Sequence, residues 1–539
     1  MIQKFFRILF IVVLGLSLPC LSSAQTSLTI LHTNDTHSAL FPFGPHDSIG
    51  GIARMSMLMK EIKSRNHNVL ALNAGDVFVG TFEFNKYLGY PELNIMQGMY
   101  DAMGLGNHEL DLGPDVLLGV FSGQLAGNLP IALPVLCANI NLSTYPDLKN
   151  FVKPYLVKQV GSLKIGLFGV VNTDPQNYSP EVAGLLTDPY TAAGEAAYAL
   201  KNTEGCQLVI CLSHLGTAPD VQGLSQVPGI DIIVGGHSHD AFPQPLRDGG
   251  KIIVQAGAFG MYLGELKVSI KGDRVKVEKY KLHPIDEDVT EDPQLLPTLA
   301  ALRDGIVSDP RFGPVYTKHV ATAARDLEKI WESDSPNRDT PLGNLIADAL
   351  KKGVKRAGFQ ADIGMEAIGY IADKVYKGKV VGNDVMRTVP YGYDPASGLG
   401  FKISSVLLAG GQILAGLEYS VTYVEYTTDF SLQVSGLRFK YDSSKPPAPS
   451  IGEFSRLDLA SVRVNGQPIN PEGLYWVALN EQLLNFLKAN GLEPFQTVDT
   501  GLFEYNLVRD YMQKLGYLDY FSVGRVVDTA GERHDHKQY

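Results

Sequence analysis

Short, unbroken runs of Val, Ile and Leu recur through the first half of this chain and constrain its fold more than any other feature. Ser27–His32, Val69–Asn73, Lys164–Val170, Gln207–Ser213, Ile230–Val234 and Lys251–Gln255 have strand length. Several lack apolar/polar alternation, the mark of strands buried on both faces. Ala53–Ser64 and Tyr190–Lys201 read as helices between them. Strands alternating with helices predict an α/β fold in which helices cover a mostly parallel or mixed sheet.

The chain has 539 residues, enough for about three to five units or two large ones. Glu291, Asp292 and Pro293 precede an apolar-periodic stretch, the chemistry of a helix start. Asp309-Pro310 and Gly313-Pro314 then break it. A linking helix is therefore expected within 290–311, with one domain over 25–289 and a second over 312–539. The second half should hold a helix over Asn344–Lys355 after Thr340-Pro341. Strands are expected near Ser420–Glu425, Ser431–Tyr441 and Tyr475–Leu479, with a Pro-rich surface loop at Ser443–Ser450.

The formal charge is -11 at pH 7, without basic runs. Backbone binding of nucleic acid needs clustered Lys and Arg, so that class is disfavoured. No solenoid or propeller repeat is visible. Lys4 and Arg7, an apolar run from Ile8 to Leu18 and Ser22-Ser23-Ala24 form the pattern of a secretory signal over 1–24, cut after Ala24. A lipid anchor at Cys20 is the alternative, with Pro19 where a small residue would be expected. No later stretch reaches roughly 18 uncharged apolar residues, so an exported soluble protein, periplasmic or extracellular, is expected. Cys137, Cys206 and Cys211 are too sparse for a disulfide framework.

The polar residues that end the apolar runs are more informative. The runs flow into Thr33-Asn34-Asp35-Thr36-His37, Asn73-Ala74-Gly75-Asp76, Gly106-Asn107-His108-Glu109, Ser213-His214 and Gly235-Gly236-His237-Ser238-His239. Ligands of open α/β sheets gather beyond the carboxyl ends of strands. Asp35 and His37, like His237 and His239, would share a side on an extended backbone. Singly, each motif has an ordinary role: a turn, a helix cap at Asp76, a core histidine at His214. Jointly they offer carboxylate, amide and imidazole donors and no thiolate, the set for Zn²⁺, Mn²⁺, Fe²⁺ or Co²⁺. Seven candidate ligands exceed the needs of one tetrahedral ion and suit a pair sharing a carboxylate.

The same blocks, extended through Tyr100–Asp111 and followed by Gln255-Ala256-Gly257 and Gly264, resemble the calcineurin-like metallophosphatase domain. More narrowly they resemble the secreted 5′-nucleotidase / UDP-sugar hydrolase family, over roughly Leu28–Ile285. The resemblance implies a four-layer α/β/β/α sandwich joined by the linking helix to a second, mixed α/β substrate-binding domain. It implies that Asp35, His37 and His239 hold one divalent metal, that Asn107, His214 and His237 hold the other, and that Asp76 bridges. It further implies in-line attack of a metal-activated water on phosphorus, with His108 as cationic stabiliser or general acid and Asp111 fixing its imidazole.

The second half resembles the family only in part. Leu342–Ala349, Val389-Pro390-Tyr391-Gly392 and Ser431–Leu437 are similar to its segments. The usual N-G-G-G-I-R stretch, however, appears as Glu366–Ile371, so Ile371 replaces an arginine, and N-G-G-D-G-F appears as Asn490–Phe495. Arg338 stands near, but out of register with, another expected arginine. Tyr391 and Arg338 are the substrate-binding candidates, with Phe486 and Phe495 weaker ones; His534 and His536 read as a solvated tail. The resulting expectation is a phosphoesterase acting on a small phosphate ester of the nucleotide class. The alternatives are the same chemistry on a cyclic phosphodiester or nucleotide sugar, or a non-catalytic metal or phosphoester binder. Oligomeric state is left open.

Overall fold

A computed structural model describes residues 26–530 apart from 175–176, 273 and 426. The signal-like segment with Cys20, and the pair His534 and His536, lie outside the described residues.

The buried runs do form strands, in two sheets. The first runs, edge to edge, Arg274–Pro284, Tyr262–Lys271, Thr26–Thr33, Val69–Asn73, Ala102–Gly104, Val135–Leu136 and Val152–Lys153. The last five strands are parallel, and the first two antiparallel. The second sheet runs Leu246–Asp248, Lys251–Val254, Ile232–Gly235, Leu208–His214, Leu163–Val171 and Tyr155–Val160.

The missing alternation has a direct cause. Leu28, Ile30, Leu70 and Leu72 of the first sheet pack against Ile165, Leu208, Ile210 and Leu212 of the second. The opposite face of the first sheet packs on Met55, Met59 and Ile62 of helix Ile52–Ser64. That of the second packs on Ala193, Ala197 and Leu200. Each central strand is thus covered on both sides. Cys206 and Cys211 belong to this last layer, and Cys137 to the helix layer of the first sheet; all three are buried free thiols.

The linking helix spans only Leu296–Val307. Asp292 does not start it: its buried carboxylate accepts from Ser56 Oγ at 2.6 Å and pairs with Lys60. Tyr87 Oη donates to Leu302 O at 3.0 Å, and a Cβ on Gly305 would lie 2.1 Å from that hydroxyl, so the helix needs glycine there to seat.

The second half is mixed α/β, with sheets of three, five and four strands. Helix Pro341–Arg356 is capped by Thr340, whose Oγ1 accepts from Gly343 N at 2.9 Å. Ser420–Glu425 is not a strand; helix Gly410–Ser420 ends there in a turn. The turn persists because the buried Arg456 guanidinium, instead of a neighbouring strand, takes the carbonyls of Val421 and Thr422 and pairs with Glu425. The run Ser431–Tyr441 divides at Gly436 (φ 75°) into Leu432–Ser435 and Leu437–Tyr441. Among the described residues no helix is long and apolar enough to cross a membrane.

Candidate metal centre

The strand-end motifs converge. Strands Thr26–Thr33 and Val69–Asn73 run parallel, so their ends emerge side by side. The loops beyond them are laced together: Asp35 N donates to Gly75 O at 2.9 Å, and His37 N to Asp76 O at 3.0 Å. Close approach depends on missing side chains. A Cβ on Gly106 would lie 2.2 Å from Asp76 Oδ1, and one on Gly75 2.6 Å from Gly106 N.

The extended-backbone argument for Asp35/His37 and His237/His239 does not hold. Asp35 (φ 50°), His37 (φ 47°), Asp76 (φ 53°), His237 (φ 74°) and His239 (φ 59°) all sit in the left-handed region. His237 and His239 consequently serve different clusters. Ligand atoms of Asp35, His37 and His239 lie within 4.8 Å of one another, as do those of Asp76, His214 and His237. His37 Nδ1 faces the carbonyls of Phe78 and Val79 at 3.2 and 3.0 Å, so it carries the proton and leaves Nε2 a bare lone pair. That Nε2 faces His239 Nε2 at 3.1 Å.

His214 repeats the pattern. Its Nδ1 donates to Ala74 O at 2.7 Å, while Nε2 lies 2.9 Å from Asp76 Oδ2 without forming a hydrogen bond. The facing Nε2 atoms of His37 and His239, and a buried His214 Nε2 left without a hydrogen bond beside a carboxylate oxygen, are donors that fit a pair of divalent metals. Asp76 Oδ2 also lies 4.0 Å from both His37 Nε2 and His108 Nε2, which puts it at the middle of the group.

The electrostatics agree for three imidazoles, while at His214 burial disfavours the charge but Asp76 overrides it and lifts the ring to about 10. Burial above all lowers His37 and His237 to about 4 and holds His239 well below its usual range, leaving neutral imidazoles with free lone pairs. Burial raises Asp35. Burial opposes ionisation of Asp76 too, but His214 and then His108 outweigh it and hold the carboxyl well below its usual range.

His108 stands at the edge of the group. Its Nδ1 meets Asp111 Oδ2 at 2.7 Å, and its backbone N donates to Asp76 Oδ1 at 3.0 Å. Burial disfavours its charge, yet Asp111 and then Asp76 overcome this and lift the imidazole to about 9. Asn107 is buried beside it, its Oδ1 accepting from Asn172 Nδ2 at 3.1 Å.

Across from them the Tyr391 ring stacks on His108, with centroids 5.3 Å apart and planes at 19°. Arg338 is engaged elsewhere: it donates to Ser335 O and Asn337 O and lies 3.7 Å from Asp528, all in the second half. Phe486 packs on Tyr419 at 4.9 Å, and Phe495 is exposed.

Two further residues at the centre are revealed only by the structure. Glu109 is buried, and its carboxylate accepts the backbone N–H groups of Asp76, Val77, Phe78 and Gly106 at 2.7–3.1 Å. It ties two ligand-bearing loops to one side chain. Phe259 lies 5.5 Å from both His37 and His239, ring to ring, and Arg387 from the second half lies over it. Glu109 is visible in the sequence beside His108, but its carboxylate accepts from loops distant in sequence, which no local pattern reveals.

Two family models match the chain. The calcineurin-like phosphoesterase model matches residues 28–241, and the 5′-nucleotidase C-terminal domain model matches residues 319–496. The chain belongs to the 5′-nucleotidase family. A family member of this kind is a metal-dependent phosphoesterase, and the two Asp/His clusters lie inside the first matched region. The snake venom 5′-nucleotidase of Naja atra is 28% identical over 94% of this chain and 99% of that protein. The trifunctional nucleotide phosphoesterase protein YfkN of Bacillus subtilis is 30% identical over 91% of this chain, which spans 34% of that longer protein. The crystal structure of a 5′-nucleotidase precursor from Thermus thermophilus superposes with a TM-score of 0.80 at 29% identity, covering 93% of this chain and 99% of that one.

Proposed function

We propose that this chain is an exported phosphomonoesterase that hydrolyses nucleotides at a two-metal centre. In this reading Asp35, His37 and His239 hold one ion, Asn107, His214 and His237 the other, and Asp76 bridges. The observation that carries it is the adjacency of two Asp/His clusters to a His108–Asp111 pair, with Asp76 Oδ2 among all three. Divalent ions bound there would lower the pKa of a water and draw charge from the phosphoryl oxygens.

The chain's own groups then have defined tasks. Asp111 holds the His108 proton on Nδ1 and keeps the ring cationic, so Nε2–H can face the ester oxygen. As water oxygen bonds to phosphorus and the phosphorus–ester bond breaks, that proton passes to the leaving oxygen. Tyr391 covers the far face of His108 and excludes water from it. A nucleotide substrate and a division into 25–289, a linker over 290–311 and a recognition domain over 312–539 complete the reading. The two family models fall on either side of helix Leu296–Val307, which supports that division. Export is supported by the signal-like N-terminus and by the venom origin of the Naja atra relative.

A second reading, hydrolysis of cyclic phosphodiesters or nucleotide sugars, is favoured by Ile371 in place of an arginine and by the trifunctional relative YfkN. Purified protein loaded with Mn²⁺ or Co²⁺ should be tested on AMP, UDP-glucose, 2′,3′-cyclic AMP, p-nitrophenyl phosphate and its bis ester. Turnover of AMP and the mono ester supports the first reading. Turnover of the bis ester or cyclic AMP alone supports the second, and two bound metals without any turnover would leave only a binder.

A further inference from the structure

The second domain lacks an arginine at position 371, yet a different cation reaches the main chain there. Lys329 Nζ donates to the main-chain carbonyl of Ile371 at 3.0 Å. The segment carrying it is pinned to the segment after Ile371 by an isolated antiparallel bridge, with paired backbone hydrogen bonds between Leu327 and Val375 at 2.8 and 3.2 Å. The residue next to Ile371, Ala372, packs in one apolar cluster with Ala39, Phe43 and Phe259 of the first domain. Phe259 in turn touches the rings of His37 and His239. A short chain of contacts, through Ile371, Ala372 and Phe259, therefore links the Lys329 ammonium to the metal-binding histidines.

The charges around it are consistent with that placement. Burial disfavours the Lys329 ammonium, and Asp429 and then Asp373 stabilise it. An ammonium has three donors, and the Ile371 carbonyl takes one. A half-buried cation with no second hydrogen-bond partner among the described residues, linked to a centre that suits phosphate esters, suits an anionic oxygen.

Resting on the phosphoesterase reading above, we propose that Lys329 is a substrate-binding residue: it donates to a non-bridging phosphoryl oxygen of the ester from the side of the second domain. Lysine acts there as a point charge rather than a bidentate fork, so the contact tolerates different orientations of the phosphate.

The test uses the full chain loaded with Mn²⁺ and inorganic phosphate as probe, with affinity read by calorimetry. Lys329→Met should weaken phosphate binding about tenfold or more, the usual scale for losing a charged hydrogen-bond partner. Metal content and melting temperature should match the wild type. Lys329→Gln, which can still reach toward the Ile371 carbonyl without charge, should show the same loss, and Lys329→Arg should recover most of the affinity. Undiminished phosphate affinity in either neutral variant would overturn the assignment, as would loss of melting temperature and affinity together in both neutral variants. If wild-type protein with two metals neither binds phosphate nor turns over p-nitrophenyl phosphate, the phosphoesterase reading itself fails instead.

Discussion

Tyr391 of the second domain lies flat against His108 of the first, ring centroids 5.3 Å apart. The candidate proton donor is thus roofed by a residue from the other half of the chain. Tyr391→Phe should leave kcat/KM near the wild-type value, because stacking belongs to the ring. Tyr391→Ala should lower it about three- to tenfold, the scale of ~0.5–1.5 kcal/mol for an aromatic pair. Steady-state kinetics on p-nitrophenyl phosphate decides, and an unchanged Ala variant would remove Tyr391 from the site.

His108→Ala should keep both metals and slow turnover by roughly 10²–10⁴, the usual range for a lost general acid. Asp111→Asn should fall between, since the ring remains but its 2.7 Å charged partner is gone. Metal analysis alongside kcat checks both; a His108→Ala enzyme at full speed would assign proton transfer elsewhere.

Asp76→Asn should abolish activity and lower metal content together. Its Oδ2 is 2.9 Å from His214 Nε2 and 4.0 Å from His37 Nε2, so one oxygen serves both clusters. Retention of two metals per chain would show that Asp76 does not bridge.

Glu109→Gln should lower the melting temperature and metal occupancy without touching a ligand. An amide has one acceptor oxygen where the carboxylate has two, so some of the four N–H donors lose their partner, at ~1–3 kcal/mol for each buried orphan. Wild-type melting and metal content would refute its role in holding the loops.

Glu366 and Glu504 form a buried carboxyl pair in the second domain, with Asn480 Nδ2 donating to both Glu366 oxygens at 3.0 Å. Burial first, and the Glu366 charge second, raise Glu504 well above its usual range. A carboxyl raised on folding binds its proton more tightly when folded. Its stabilisation is therefore complete below the unfolded pKa of about 4.3 and is lost as pH climbs toward the folded value. Glu504→Gln removes that titration and keeps a donor for Glu366. Its melting temperature should gain on the wild type as pH rises above the unfolded pKa of about 4.3; parallel curves would contradict the linkage.

Much of the centre is legible in the sequence because its chemistry sits where buried runs stop. Val69–Asn73 forms the strand with the bounds read from sequence, and Asp76 follows it into the cluster. Among the inferences that fail, two have reasons that lie outside the local sequence. Strand periodicity puts Asp35 with His37, which do share a cluster, and His237 with His239, which do not; all four backbones are left-handed, a state polar residues adopt without leaving a periodic trace. Ser420–Glu425 has the composition of a strand, but Arg456, distant in sequence, satisfies its carbonyls. Lys329 carries no local signal at all, because its meaning depends on the Ile371 carbonyl.

The left-handed backbone at Asp35, His37, Asp76, His237 and His239 also bears on how this centre can be dissected. Alanine at any of these positions deletes a donor atom and also places an unsuited residue in a costly conformation, so its effect mixes lost coordination with backbone penalty. Glycine removes the donor and tolerates the geometry. Comparing the two substitutions position by position separates what each side chain gives the cation from what each turn demands of the chain.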